Sequence, residues 1–402
     1  MPKTTFLLSF SPMKKRKNPD APFRVQLVVG EGLEYFRNTL LGARHYGFDT
    51  GRLEFADRWL AHERTDNPAA LVRRDRIDGI VAAINTRDEE ARFLEAGVPV
   101  VNLSNGMISP VLPLVTQDDV AAGHLAAEHL RACGCQAFGF WGQPGAAYSE
   151  ERLQGFRRAL GDNSPAVGGG IPFGRRTPAT VFAAMKRWLA TLQHRRPLGL
   201  FAVLDTLALQ LIRAARELGW RVPEDVAVLG AGDDDFWVDF ESVPLSSVRL
   251  PSRAIGYEAA RLLDRLMTRG ERGHGEVVRL PVSEVAARRS TDVLFVDDPA
   301  VSKAVRLIRE SGGRLRVAEL VRAAGVSRSG LQARFRKALG RSMLEEIHRV
   351  KLARARELLA TTDQKLSAVA AQSGLGSQHR LSVLFRTKLG QTPSAFRRER
   401  KG

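Results

Sequence analysis

Asp118, Arg152, Asp205 and Asp233 stand where side chains could meet a ligand. Asp205 follows an apolar run at 198–203, and Asp233 follows another at 226–230. Asp118 opens a helical pattern at 118–131, and Arg152 falls in the first turn of a helix expected from Ser149, after the run 137–141. A carboxylate accepts from two hydroxyls and a guanidinium donates in a planar fork, so their convergence suits a neutral polyhydroxylated ligand. Trp141, Phe236 or Trp237 could cover the apolar face of a sugar ring. The plain structural reading is that helix-opening Asp residues are caps and the aromatics are core. No nucleophile–base pair, metal-ligand spacing or phosphate loop is legible. Gly168, Gly169 and Gly170 read as a flexible turn, and the eight His are scattered. No catalytic residue, metal or cofactor is therefore expected.

A second chemistry is written twice near the C-terminus, at 318–340 and 367–390. Each copy has a short apolar helix (Leu320 and Val321; Val369 and Ala370), a turn at Gly325 or Gly374, and Ser327 or Ser377 placed to cap a further helix. In the first copy Leu331, Phe335 and Leu339 form a buried stripe, leaving Arg328, Ser329, Gln332, Ala333 and Arg336 outward. In the second, Leu381, Phe385 and Leu389 face inward, and Gln378, His379, Ser382, Val383 and Arg386 face out. A Gln amide matches an adenine edge, an Arg fork matches guanine, and small apolar groups meet a thymine methyl. One such helix could be an ordinary amphipathic helix with a solvated face. Two copies in a basic segment favour paired helix-turn-helix heads that read double-stranded DNA. Between them, 342–361 reads as one long helix with Leu344, Ile347, Leu352, Ala355, Leu358 and Leu359 along its apolar stripe.

The elements that must position the first set alternate between strand and helix. Apolar runs at 25–29, 77–84, 98–103, 137–141, 198–203, 226–230 and 277–280 are separated by helical patterns. Such alternation predicts parallel sheets covered by helices, and its length predicts two lobes. Ligands in such folds bind beyond the carboxyl ends of the strands, where Asp118, Arg152, Asp205 and Asp233 fall. Charge marks the domain boundary. Residues 299–402 hold 23 Lys and Arg against 7 Asp and Glu, whereas the rest hold 38 against 37. Expected domains are a flexible basic tail at 1–22, a two-lobed α/β domain at 23–280, a linker at 281–298 and an all-α basic domain at 299–402. Cys133 and Cys135 are too close for a comfortable bridge and are expected to be free thiols in a reducing cytosol. No apolar run is long enough to span a membrane, and the order TTFLLSF then Lys14-Lys15-Arg16-Lys17 reverses that of a secretory signal.

GVSRSGLQARFRKALGRS, RVKLARARELLATTD and GQTPSAFRRER together resemble the AraC-type DNA-binding domain. One departure is Arg380-Leu381, where that family has an aromatic pair. LDTLALQLIRAARELGWRVPEDVAVLGAGDDD, PLSSVRLPSRAIGYEAARLLDRLM, VTQDDVAAGHLAAEHLRACGCQAFGFWG, SEERLQGFRRAL and RIDGIVAA resemble the ligand-binding domain of LacI-type repressors and periplasmic sugar-binding proteins. By that resemblance Asp118, Arg152 and Asp205 occupy ligand-contacting positions. The family's Gly-apolar-Asp-Asp is here Gly230-Ala231-Gly232-Asp233, so either Asp233 replaces the contacting Asp or the contact is lost.

The order of the two domains, with the junction 287–292 followed by 298–301, is similar to the bacterial xylose-operon activators from Arg24 onward. The resemblance implies a cytoplasmic transcription regulator with D-xylose or a related pentose as effector, a DNA operator, RNA polymerase as a partner, and a homodimer. A repressor of another carbohydrate operon is the alternative. A transport-type binding protein would share the fold but would need a signal peptide and have no use for a basic tail. An enzyme carrying an AraC-type tail would need catalytic groups that are not legible.

Overall fold

Residues 21–29, 34–56, 67–161, 166–172, 174, 177–193, 197–233, 243–293 and 298–401 are described by a computed structural model. Residues 1–20, Phe236, Trp237 and the segment 294–297 lie outside them. The chain divides into two units, Met1–Val293 and Leu294–Gly402.

The first unit holds two six-stranded sheets. The first combines β1 (Phe23–Val28), β2 (Leu53–Phe55), β3 (Gly79–Ala82), β4 (Val100–Asn102), β5 (Leu114–Gln117) and β11 (Val277–Leu280) in the order β11-β5-β4-β3-β1-β2, every pair parallel. The second combines β6 (Ala137–Gly142), β7 (Val167–Gly170), β8 (Leu198–Ala202), β9 (Val226–Gly232), β10 (Ser246–Arg249) and β12 (Val285–Ala286) in the order β12-β10-β9-β8-β6-β7. Only β12 runs antiparallel, to β10. Helices α1 (Glu34–Thr50), α2 (Pro68–Asp75) and α3 (Arg87–Leu94) belong to the first lobe, and α4 (Asp119–Ala132), α5 (Ala147–Leu160), α6 (Pro178–Ala190) and α7 (Asp205–Glu217) to the second. α8 (Ser252–Arg269) returns to pack on α1 and the first sheet. The chain thus crosses between lobes after β5, after β10 and after β11. β8 is buried at every residue, as a central parallel strand covered on both faces must be.

Two expectations are corrected here. Residues 168–170 are not a flexible turn: they belong to β7, which pairs with β6. Gly169 is glycine because a Cβ there would come within 2.6 Å of the Trp188 indole, and Gly170 because one there would come within 2.4 Å of the Gly142 carbonyl oxygen. The expected linker at 281–298 is shortened, since β12 joins the second sheet and a 3-10 turn at Arg289–Thr291 buries Ser290 and Thr291.

In the second unit α9 (Pro299–Glu310), α10 (Val317–Ala324), α11 (Arg328–Leu339), α12 (Met343–Thr361), α13 (Leu366–Gln372), α14 (Gln378–Leu389) and α15 (Pro393–Lys401) build two cores that share α12. Its first half gives Met343 and Ile347 to a core with Leu331 and Phe335, and its second half gives Ala355, Leu358 and Leu359 to a core with Leu381, Phe385 and Phe396. Leu344, expected in the stripe, is 53% exposed, and Met343 takes the buried position one residue earlier. Leu381 is fully buried while Arg380 is exposed, so one apolar side chain serves where the related motif has two aromatics.

Candidate ligand cleft and nucleic-acid interface

The helix pair α4 and α5 explains how the cleft charges meet. Gly123 and Gly155 let the helices touch backbone to backbone: a Cβ on Gly123 would sit 2.0 Å from the Arg152 carbonyl, and one on Gly155 1.9 Å from that of Val120. This close crossing sets Arg152 beside the first turn of α4. Its Nε donates to Asp119 Oδ1 at 2.7 Å, a second guanidinium nitrogen donates to the Val203 carbonyl, and the group lies 5.5 Å from the Tyr148 ring centroid. Both charged partners are buried, at 2% and 0% side-chain exposure. Asp119 also accepts from Asn105 Nδ2 at 3.0 Å and from Gln117 Nε2 at 2.9 Å, and Asn105 reaches Glu151 at 2.9 Å. Glu151 in turn takes a two-pronged bond from Arg279 of β11, each prong 2.9 Å. Asn105, Gln117 and Arg279 come from the first lobe, so the network joins the lobes.

Tyr148 lies against the Arg152 guanidinium, and Tyr35 joins the network through its hydroxyl bond to Gln117 at 3.2 Å. Burial pushes the Tyr148 phenol up to about 12, with the Arg152 charge pulling it down and Asp119 raising it. Burial, then the Asp119 charge, raises Tyr35 well above its ordinary value against the pull of Arg152. Both phenols stay neutral at physiological pH and donate within the protein, Tyr148 to Gln143 and Tyr35 to Leu103 and Gln117.

Asp205 is the first residue of α7 and is 4% exposed. Its Oδ1 accepts from the Ser247 hydroxyl at 2.6 Å, and Gly230 and Gly232 leave it room, since a Cβ at either would come within 2.1 or 3.0 Å of its carboxylate oxygens. Arg152 and Asp205 are thus gathered at the carboxyl end of β8, one bonded to Val203 and the other two residues on.

The other expected contacts have structural duties. Asp118 caps α4 by accepting the Ala121 N–H at 2.9 Å. Trp141 is 2% exposed and packs on Trp188 with centroids 5.2 Å apart, inside the second lobe. Asp233, at φ 60°, is clamped between Arg249 at 2.6 Å and Arg288 at 2.7 Å. Burial alone would raise its pKa, but the charges of Arg288 and Arg249 overcome that and hold the carboxyl below the usual range. Sequence reasoning missed Asp119, Asn105, Gln117, Ser247 and Arg288. The doublet Asp118-Asp119 was visible, and helix phase decides which member caps and which meets α5.

In the second unit Ser327 caps α11 and Ser377 caps α14, accepting from Gly330 at 3.1 Å and Arg380 at 3.3 Å. The burial of 331–340 repeats in 381–390 except that residue 334 is exposed and residue 384 half-buried. Arg328, Ser329, Ala333 and Arg336 are exposed and Gln332 is half-buried. On the other head Gln378, His379, Val383 and Arg386 are exposed and Ser382 is half-buried. Neither helix carries an acidic residue, so each outward face is free of groups that would repel phosphate. Glu346 on α12, fully buried, anchors the first head by bonding Arg341 at 2.7 Å and Arg349 at 2.8 Å, with Arg309 of α9 at 3.8 Å. Both cysteines are buried free thiols. Among the described residues no helix is long and apolar enough to cross a membrane, and no three His, Cys, Asp or Glu gather as metal ligands.

A two-lobed parallel-sheet domain followed by two helix-turn-helix heads defines a DNA-binding transcription regulator with a built-in sensor. Residues 127–291 match a periplasmic binding protein-like domain and 320–399 a helix-turn-helix domain. The xylose operon regulatory protein of Escherichia coli strain K12 is 30% identical over 332 residues, covering 80% of this chain and 83% of that one. Its Haemophilus influenzae counterpart is 26% identical over 351 residues, covering 85% and 88%. A solved structure of the xylose-binding transcription activator xylR covers 94% of this chain and 98% of that one at TM-score 0.61 and 26% identity. The chain belongs to the family of xylose operon regulatory proteins, which are transcription regulators and not enzymes.

Proposed function

We propose that this chain activates pentose-utilisation genes in the cytoplasm when D-xylose or a close pentose binds between the lobes. The observation that supports this reading is that Arg152, bonded to the Val203 carbonyl, and Asp205, two residues on, both stand at the end of β8 with Tyr148 against the guanidinium, a fork donor and a carboxylate acceptor of the kind vicinal hydroxyls require. Asp118 lends the sugar the oxygen its cap leaves over, whereas Trp141 and Asp233 serve the fold. Both heads contact an operator, through Arg328, Ser329, Gln332, Ala333 and Arg336 on α11 and Gln378, His379, Ser382, Val383 and Arg386 on α14. Binding as a homodimer and contact with RNA polymerase complete the proposal.

Isothermal titration with D-xylose and its epimers tests the sensor. Asp205→Ala should weaken the preferred sugar roughly a hundredfold, because ligand hydroxyls lose a charged acceptor worth ~2–3 kcal/mol. Unchanged affinity for every pentose would remove the site assignment.

A further inference from the structure

A chain of hydrogen bonds and one ion pair leads from Asp205 to the end of the sensor unit. The Ser247 hydroxyl donates to Asp205 Oδ1 at 2.6 Å and accepts the Asp233 N–H at 3.0 Å. The Asp233 carboxylate holds Arg288 at 2.7 Å, and the Arg288 N–H donates to Ser246 Oγ at 2.7 Å. Ser246 Oγ lies 2.7 Å from the Thr291 hydroxyl, and Ser290 donates to the Val228 carbonyl at 2.6 Å. Ser246, Ser247, Ser290 and Thr291 are all buried, so these bonds are not exchanged freely for water. Adjacent residues of a strand point to opposite faces. On β10, Ser247 therefore turns toward the cleft residue Asp205 while Ser246 turns toward the segment 288–291. Thr291 is three residues before Leu294, where the DNA-binding unit begins.

We infer that this chain couples occupancy of the cleft to the exit segment 288–292, with Ser247 as its joint. Ser247 has one proton to give. It now goes to Asp205, and the Val248 carbonyl at 3.5 Å is a second acceptor within a small rotation. A ligand hydroxyl that bonds the Asp205 carboxylate competes for the oxygen Ser247 uses. When Ser247 turns, the oxygen that receives the Asp233 N–H moves with it. Asp233 is a non-glycine residue in the left-handed region, which Asp adopts at modest cost, and the Ser247 bond to its N–H helps to hold it there. Loosening that bond shifts the carboxylate that anchors Arg288, and with it the strap leading out of the domain. Ser247, Asp233 and Arg288 are positioning residues that make no contact with the ligand themselves.

This inference rests on the reading that a pentose binds beside Asp205. Its test uses the full chain as wild type, Ser247→Ala, Ser247→Thr and Asp233→Asn, with a DNA fragment that the wild type selects from a random pool. D-xylose affinity is measured by titration, and DNA affinity with and without saturating D-xylose. In Ser247→Ala and Asp233→Asn the ratio of the two DNA affinities should collapse toward one, from a wild-type ratio of about fivefold or more. D-xylose affinity should not fall by the tenfold that about 1.4 kcal/mol represents, and in Ser247→Ala it should hold or rise, because a competitor for the Asp205 oxygen is gone. Ser247→Thr, which keeps the hydroxyl, should restore the ratio, a result that a merely structural role would not give. If a variant loses its native circular dichroism, Arg288→Lys takes its place in the same measurement. Folded variants that respond as fully as the wild type would overturn the coupling while leaving the pentose site standing. A wild type that binds no pentose would remove both.

Discussion

Glu346→Gln should loosen the DNA-binding unit while leaving the sensor unit alone. The carboxylate is fully buried, and burial by itself would raise its pKa. The hydrogen bond and charge of Arg349, then the charges of Arg341 and Arg309, overcome that and lower it from 4.5 to about 2. That displacement corresponds to ~3 kcal/mol of stability, as an order of magnitude. Because the folded value is depressed, the contribution is complete above pH 4.5 and drains away as the pH falls toward about 2. An amide cannot balance the three guanidinium groups, so the variant should lose the contribution at neutral pH and lack that acid dependence. All five Trp and all four Tyr lie at or before Tyr257, so intrinsic fluorescence reports only the sensor unit and should not change. Hydrogen exchange of the intact chain, read on peptides covering Pro299–Glu310 and Met343–Thr361, should show protection falling roughly a hundredfold. Protection within about threefold of wild type in both peptides, less than 1 kcal/mol, would refute this account of Glu346.

Asp119→Ala should destabilise the sensor unit by ~3–5 kcal/mol, because it strands the buried Arg152 charge, and urea unfolding followed by Trp fluorescence checks this. Gln332→Ala should cost about 1–3 kcal/mol at one base position and leave the salt slope nearly unchanged; a uniform loss across operator variants would assign Gln332 to backbone positioning. DNA affinity of the full chain should fall steeply between low and moderate salt, since residues 299–402 hold 23 basic against 7 acidic side chains and phosphate neutralisation releases counterions. A flat salt response would deny the basic unit its role.

The architecture was readable where burial makes sequence simple. Central parallel strands such as Leu198–Ala202 are unbroken apolar runs, and the second unit repeats its caps, glycine turns and every-fourth-residue stripes. Short strands were missed because their polar residues are buried on hydroxyl bonds formed only in the fold, as with Ser246 and Ser247 on β10. The β7 glycines imitate a turn; Gly169 is explained by Trp188, supplied by a later helix, and Gly170 by the Gly142 backbone of the neighbouring strand. At the site, Arg152 and Asp205 were legible as residues beyond strand ends. Which of Asp118 and Asp119 pairs with Arg152 depends on the crossing of α4 and α5, and the Asp233 carboxylate is engaged by Arg288, fifty-five residues away in sequence.

The most direct measurement of the central claim is the affinity of the full chain for its selected DNA, taken with no sugar, with D-xylose and with an epimer that fails to bind in titration. A sugar that controls the regulator must change DNA affinity by the coupling between the sites, about fivefold or more, and the non-binding epimer must leave it unchanged. Equal DNA affinities with and without saturating D-xylose would contradict the account.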